Sequence, residues 1–283
     1  NWMLFGPEAV SFLAVLTFLG LSLVQGISRR TLFGTALGFT VLGIVIALAA
    51  VHAEGLLFVA VYRVDLFSQV FKVLLSLGLF LVTCLCSDLA GIAGRRHAEF
   101  YLLLFACNLG MMLLVSSVHL LTIYVALELS SYSLYLLTAL RRGRKEGIEA
   151  GLKYFLVGIV SSAVMLFGIA LLYGSLQSLY LKELQAVLPQ ALDQPLVSVG
   201  LLLTMGGFFF KLALFPFHVW APDVYQGAAH QVAAYIATGS KVAAIAILLR
   251  TVAVTAGAGT TLAHVLVALS LLSMVVGNLS AIA

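Results

Sequence analysis

Five ionisable side chains stand inside long apolar stretches of this sequence. They are one carboxylate, Glu128, and four lysines, Lys72, Lys153, Lys211 and Lys241. A charged side chain at the centre of a bilayer costs at least ~2.5–3.5 kcal/mol, so such residues are candidates for proton relays and ion pathways. Carboxylates and amines can both bind and release a proton, and the chemistry that these residue types predict is therefore proton transfer.

Three of the five stand near the middle of their apolar stretches. Glu128 lies within YVALELSSYSLYLL, where helical geometry places four polar residues on or near the same face: Tyr124, Ser131, Tyr132 and Tyr135. Lys211 lies deep in the run 196–222, and Lys241 follows the small residues ATGS. We expect Glu128 to pair with Lys211, as the only carboxylate at mid-membrane depth. The alternative for each is structural, as an ion pair between helices or as a lysine bound to unwound backbone.

Other residues near these positions are weaker candidates. Lys153 could be the uptake group of the relay or could extend to the membrane interface, and both readings stay open. Lys72 is interpreted as an interfacial or structural lysine. His218 and His230 could exchange protons near neutral pH, although His230 could be only an interfacial polar residue. Pro216 predicts a broken helix after Lys211, a feature of ion sites in transporters, with a plain packing kink as the alternative.

Composition limits the class of protein. Of the 283 residues, 63% are hydrophobic and 9% are charged, against about 25% charged in a typical soluble domain. An all-α polytopic membrane protein is therefore predicted. The net charge of +4 is not gathered on one face, so nucleic acid is not an expected partner. The three cysteines predict neither a disulfide framework nor a metal site, and no phosphate loop or nucleophile elbow is found.

Nine apolar segments are long enough to cross a membrane as helices. The chain starts with Asn rather than Met and ends inside an apolar stretch, which predicts that further chain follows. The nine predicted segments are 8–26, 32–51, 65–85, 98–116, 118–140, 148–173, 196–222, 229–250 and 258–283.

The basic residues outside these segments predict the orientation. They are concentrated in the loops after the first, third and fifth segments, and few stand on the other side. By the positive-inside rule those loops face the cytoplasm and the N-terminus faces outside. The first group is Arg29, Arg30, Arg95, Arg96, Arg141, Arg142, Arg144 and Lys145, and the second is Arg63, Lys182 and Arg250.

Four stretches together resemble one family, the antiporter-like subunits of respiratory complex I. They are KLALFPFHVWAPDVYQGA, LTIYVALELSSYSLYLLTALRR, EAGLKYFLVGIVSSAVMLFGIALLYG and IATGSKVAAIAILLR, in the order of that family. The wording WAPDVYQGA is most similar to the bacterial subunit N branch. The resemblance covers most of the chain, most clearly from Val64 onward, and the motifs together are highly specific.

The resemblance implies an architecture of fourteen helices with two inverted five-helix repeats, of which this chain would carry about nine helices. Residues 1–95 would hold the first three helices, 96–252 the first repeat with a broken seventh helix, and 253–283 the start of the second repeat. It also implies that Glu128 and Lys211 form a pair and that Lys153 and Lys241 continue a proton path, with His218 following the pattern of the broken helix.

One stretch departs from the family pattern. After Tyr225 the family commonly continues GAPTPV, whereas this sequence reads GAAHQV, with Ala229, His230 and Gln231. The usual proline is absent, and His230 adds a titratable group near the start of the eighth segment. This departure affects the expected geometry between the seventh and eighth segments.

Three functions remain open from the sequence. The first is a proton-translocating subunit of complex I in a bacterial inner membrane, with no cofactor on this chain and with FMN, iron–sulfur clusters and quinone in partner subunits. The second is a subunit of a multisubunit cation/proton antiporter or of a related membrane-bound dehydrogenase or hydrogenase. The third is a scaffold whose buried charges only hold helices together. The partners expected for the first are other membrane subunits and lipid.

Overall fold

The computed structural model describes residues 2–24, 26–89, 91–141, 145–254 and 261–282. Within these ranges, nine helical spans are long and apolar enough to cross a membrane, which confirms the predicted polytopic helical architecture. Arg142 and Arg144 lie outside the described residues, as does the start of the last predicted segment. The helices are α1 Gly6–Ser22, α2 Arg29–Ala49, α3 Leu66–Leu85, α4 His97–Ser116, α5 Leu120–Ala139, α6 Lys145–Leu176, α7 Leu181–Ala191, α8 Pro195–Leu212, α9 Ala221–Gly227, α10 His230–Ala237, α11 Gly239–Val254 and α12 Thr261–Ile282.

Close helix packing defines the centre of the bundle. A side chain on Gly110 of α4 would meet the backbone nitrogen of Ser130 in α5 at 2.6 Å. A side chain on Gly168 of α6 would likewise meet the backbone nitrogen of Thr204 in α8 at 2.5 Å. Small residues let membrane helices approach at this distance. They bring α5 and α8, which carry Glu128 and Lys211, into the same packed core.

A short hairpin covers one end of this core. It consists of the antiparallel strands β1, Gly55–Leu57, and β2, Tyr62–Val64. The carbonyl oxygen of Val61, next to β2, accepts from the amide of Val118 at the turn between α4 and α5. The hairpin therefore joins the N-terminal helices to the segment that carries Glu128.

A contact at the start of α3 joins this helix to α11. Asp65 caps α3 through Ser68 and forms a two-point contact with Arg250 of α11, with nitrogen–oxygen distances of 2.8 and 3.0 Å. Burial raises the pKa of Asp65, but the hydrogen bonds and positive charge of Arg250 outweigh burial and hold it below its usual value. The carboxylate therefore stays charged and ties α3 to α11.

Two predicted segments are interrupted, and one helix was not predicted. The seventh segment divides into α8 and α9, as the proline pattern indicated, and the eighth divides at Thr238 into α10 and α11. No proline marks this second break. The short helix α7 buries one face of Leu181, Leu184 and Leu188. Its apolar stretch is too short to predict as a span.

Candidate functional site

The end of α8 is the first element of the site. Ala213 adopts a left-handed conformation, with φ 56° and ψ 42°. Its amide donates to the carbonyl of Phe210 at 2.9 Å, and the amide of Leu214 donates to the carbonyl of Phe209 at 3.0 Å. This is the Schellman pattern of helix termination. In a continuous helix, the ring of Pro216 would also clash with the carbonyl four residues earlier. This explains why α8 ends at Leu212 rather than at the proline itself.

The break separates two backbone groups that a continuous helix would pair. The carbonyl of Lys211 would accept from the amide of Phe215 four residues later. Instead, Lys241 Nζ of α11 donates to the Lys211 carbonyl at 2.8 Å. The amide of Phe215 donates to Ser273 Oγ of α12 at 2.9 Å. Side chains from two other helices thus satisfy the freed groups, as membrane burial requires.

Glu128 and Lys211, which were expected to pair, each bind a serine hydroxyl. Lys211 Nζ donates to Ser131 Oγ at 2.8 Å, and Ser131 is one turn beyond Glu128 on α5. Glu128 itself accepts from Ser162 Oγ of α6. Both charged residues are buried. Among the described residues no ion pair within 4 Å joins Glu128 to Lys211, and each of them binds a serine hydroxyl. The predicted pairing of their charges is therefore not a direct contact here and stays a prediction.

An aromatic group positions the second lysine. Lys241 Nζ lies 5.0 Å from the ring centre of Trp220, within the range of a cation–π contact. Trp220 is buried, donates through Nε1 to the carbonyl of Phe210 at 3.2 Å and stacks on Tyr154 at 4.5 Å. The sequence did not single out Trp220, although it stands in the motif HVWAPDVY.

Lys153 lies at the edge of the candidate site rather than among its buried groups. Its Nζ is 2.7 Å from Asp223 of α9 and 3.0 Å from Glu149, and about half of its side chain is exposed. The structure therefore places Lys153 at the surface, which fits both readings left open by the sequence. Asp223 was missed, and its signal was the carboxylate within APDVYQGA.

Lys211 and Lys241, with the Lys211 carbonyl that joins them, are called the lysine chain below. Among the described residues, the remaining candidates form no direct hydrogen bond with it. His218 is partly buried, packs on the ring of Phe215, and has a buried Nδ1 without a hydrogen-bond partner. His230 is exposed at the start of α10. Pro216 is exposed in the turn after α8 and follows a cis peptide bond.

Lys72 and a carboxylate that the sequence analysis overlooked form a separate pair. Lys72 does not extend to the interface: its Nζ is 2.7 Å from Glu8 Oε1, and both side chains are 0% exposed. The view of Glu128 as the only carboxylate at membrane depth is therefore wrong. Glu8 is the first residue of its predicted segment 8–26 and was not singled out, whereas the observed span Met3–Ser22 includes it.

A sequence model of the family described as NADH:quinone oxidoreductase/Mrp antiporter, TM, matches residues 117–283, which contain Glu128, Lys211 and Lys241. The chain belongs to this family. This membership agrees with the antiporter-like fold of the chain and with the resemblance of its four sequence motifs to the antiporter-like subunits.

Curated relatives confirm the subunit N branch. The chain is 56% identical over 283 residues to NADH-quinone oxidoreductase subunit N 2 of Syntrophobacter fumaroxidans, covering 100% of this chain and 60% of that protein. It is 42% identical over 273 residues to NADH-quinone oxidoreductase subunit 14 of Thermus thermophilus, covering 96% of this chain and 57% of that protein. The chain thus spans less than two thirds of the length of these relatives.

Solved structures share the architecture. A chain of respiratory complex I from Thermus thermophilus with bound aureothin matches with a TM-score of 0.81 and 36% identity, over 98% of this chain and 58% of that one. A chain of the membrane-bound sulfane sulfur reductase, an archaeal respiratory membrane complex, matches with a TM-score of 0.80 over 96% of this chain and 58% of that one. At 22% identity, the second match shows the fold alone.

Proposed function

We propose that this chain is a proton-translocating part of a complex I-type NADH–quinone oxidoreductase in a bacterial inner membrane, with its N-terminus outside. The observation that carries the proposal is the contact of Lys241 with the carbonyl freed at Lys211. It links the buried Lys211 to the partly buried Lys241 across a helix break, in a family that includes oxidoreductase subunits and antiporters. Other membrane subunits are the expected partners, and FMN, iron–sulfur clusters and quinone would belong to them rather than to this chain.

Electrostatic repulsion supplies the first step of the mechanism. Two ammonium groups near one another in a low-dielectric core repel strongly. Lys211 and Lys241 are held by a hydroxyl and a carbonyl rather than by a carboxylate. Neither neutral oxygen compensates the charge of the lysine that it binds. A proton arriving at one lysine therefore favours loss of a proton from the other.

Glu128 supplies the second step. It lies one helical turn from Ser131, the residue that holds Lys211, and it is itself held by Ser162. Movement of negative charge toward Lys211 would favour its protonated form, and movement away would favour release. Because α8 is interrupted directly after Lys211, small rearrangements there can change these distances without unwinding a helix interior. Electron transfer in partner subunits would drive the rearrangement.

Lys153 would lie at the cytoplasmic end of the path. Its exposed position beside Asp223 and Glu149 gives protons from solvent access to a charged cluster. The cluster is joined to the break through α9, which carries Asp223 three residues after Trp220. His218 and Pro216 belong to the connecting turn and His230 to the start of α10, and we propose no direct hydrogen-bonded step through them.

The experiment is a Lys241→Ala substitution in the assembled membrane complex, reconstituted in vesicles. We expect normal assembly and a loss of protons translocated per electron, because the contact to the Lys211 carbonyl disappears. Lys182→Ala is the matched control, since Lys182 is an exposed lysine on α7. Full translocation by an assembled Lys241→Ala complex would support the scaffold function instead. Transport that depends on sodium would support the cation/proton antiporter, which the family description also includes.

A further inference from the structure

A second buried charge cluster lies beneath the hairpin, away from the lysine chain. Glu8 of α1 and Lys72 of α3 form the fully buried ion pair, and the hydroxyl of Tyr62 in β2 donates to the same carboxylate oxygen, Oε1. Burial, followed by the charge of Glu8, raises the pKa of Tyr62 well above its ordinary value, so the phenol keeps its proton and remains a donor.

The other oxygen of Glu8 is free. Oε2 is buried and has no hydrogen-bond partner among the described residues. The same holds for Oε1 of Gln69, one turn before Lys72 on α3. A buried polar atom without a partner costs about 1–3 kcal/mol. Ordered water is the usual partner of such groups, and a free carboxylate oxygen is also where a proton can bind.

A line of buried polar side chains lies beside this cluster, although among the described residues no hydrogen bond joins it to Glu8: the hydroxyl of Ser11 donates to Met112 Sδ at 3.6 Å. Ser11 follows Glu8 by one turn on α1 and accepts from Asn108 Nδ2 of α4 at 3.1 Å. Asn108 Oδ1 in turn accepts from the hydroxyl of Tyr235 at 3.2 Å. Tyr235 stands on α10, just before the break that precedes Lys241. Ser11, Asn108 and Tyr235 are all buried.

Glycine at the second break makes this arrangement possible. A side chain on Gly239 would lie 2.8 Å from the ring of Tyr235. The break between α10 and α11 thus leaves room for the tyrosine that reaches Asn108. The line connects α10, α4 and α1 at membrane depth, which is costly unless the polar groups have a role.

We infer that Glu8, Lys72 and Tyr62 form a second proton-exchange site, which takes up a proton from water at the free oxygen of Glu8 and exchanges it with the hairpin side of the membrane. The inference rests on the proposed function for the coupling of proton movement to electron transfer. An O–H bond forms at Glu8 Oε2 as one in hydronium breaks and leaves water, and Lys72 keeps its own protons.

Three ionisable groups surround the carboxylate of Glu8. Lys72 faces Glu8 from α3, and Tyr62 faces it from the hairpin. Arg250 of α11, paired with Asp65, acts electrostatically on Tyr62.

The test is a double substitution, Glu8→Gln with Lys72→Gln, in the assembled complex. It removes both charges together, so no single buried charge is left unpaired. We expect assembly and NADH–quinone electron transfer to persist, with a loss of protons translocated per electron. The control is Glu54→Gln, an exposed glutamate beside the same hairpin. Unchanged translocation in the double variant would overturn the inference.

A measurement on the unsubstituted complex decides the matter if the double variant fails to assemble. A high-resolution map is expected to show an ordered water within hydrogen-bond distance of Glu8 Oε2. A dry site, or a protein donor filling that position, would overturn the inference. The outcome is separable from the proposed function, because Lys241→Ala tests the lysine chain alone. If Lys241→Ala loses translocation and the double variant does not, only the second site is wrong.

Discussion

Two groups of lysines inside the bundle are held in opposite ways. Lys211 and Lys241 are bound by neutral oxygens, the hydroxyl of Ser131 and a backbone carbonyl. Lys72 is bound by the carboxylate of Glu8. A carboxylate partner balances the charge of a lysine, whereas a neutral oxygen supplies no opposite charge. We therefore propose that Lys211 and Lys241 exchange protons, while Lys72 pairs with Glu8.

The largest expected difference between the groups is in stability. Lys72→Met leaves the Glu8 carboxylate buried without its partner, which costs about 3–5 kcal/mol. Lys211→Met removes a buried charge together with its hydrogen bond to Ser131, and the added apolar burial offsets part of the roughly 1.5–3 kcal/mol lost. The midpoint of thermal aggregation of the detergent-solubilised complex should fall more for Lys72→Met. Equal shifts would contradict the comparison.

A smaller effect is expected from packing around the lysine chain. Gly168→Ala would bring Cβ to 2.5 Å from the backbone of Thr204, so α6 and α8 must separate, at about 1–3 kcal/mol. Gly78→Ala on α3 is the matched control, because nothing lies within 4 Å of the added Cβ. We expect Gly168→Ala to lower both the thermal midpoint and the protons moved per electron. A Gly168→Ala complex as stable as the control would contradict this packing.

Much of the fold was predictable because membrane helices carry their signal locally. Each apolar segment is long enough to identify by itself, and Pro216 marked the break after Lys211. The second break was not predicted, since Gly239 acts through its contact with Tyr235, a tertiary feature. The helix α7 was missed because only one of its faces is buried.

The charged residues of the candidate site could be predicted from the sequence, but the groups that bind them could not. Charge inside an apolar stretch identified Glu128, Lys211 and Lys241 without any structure. Their binding partners come from other helices, such as Ser162 for Glu128, and no periodicity specifies which helices meet. Glu8 shows the same limit, because a carboxylate near the start of a segment can equally face water or a buried lysine.

Whether Lys211 carries the proton is tested most directly by Lys211→Arg in the reconstituted complex, with protons translocated per electron as the readout. Arginine keeps the positive charge and can still donate to Ser131, but it does not release its proton in a protein. We expect an assembled complex that transfers electrons and has lost proton translocation. Lys182→Arg, the exposed control on α7, should translocate as the unsubstituted complex does. Full translocation by Lys211→Arg would contradict the claim that Lys211 carries the proton.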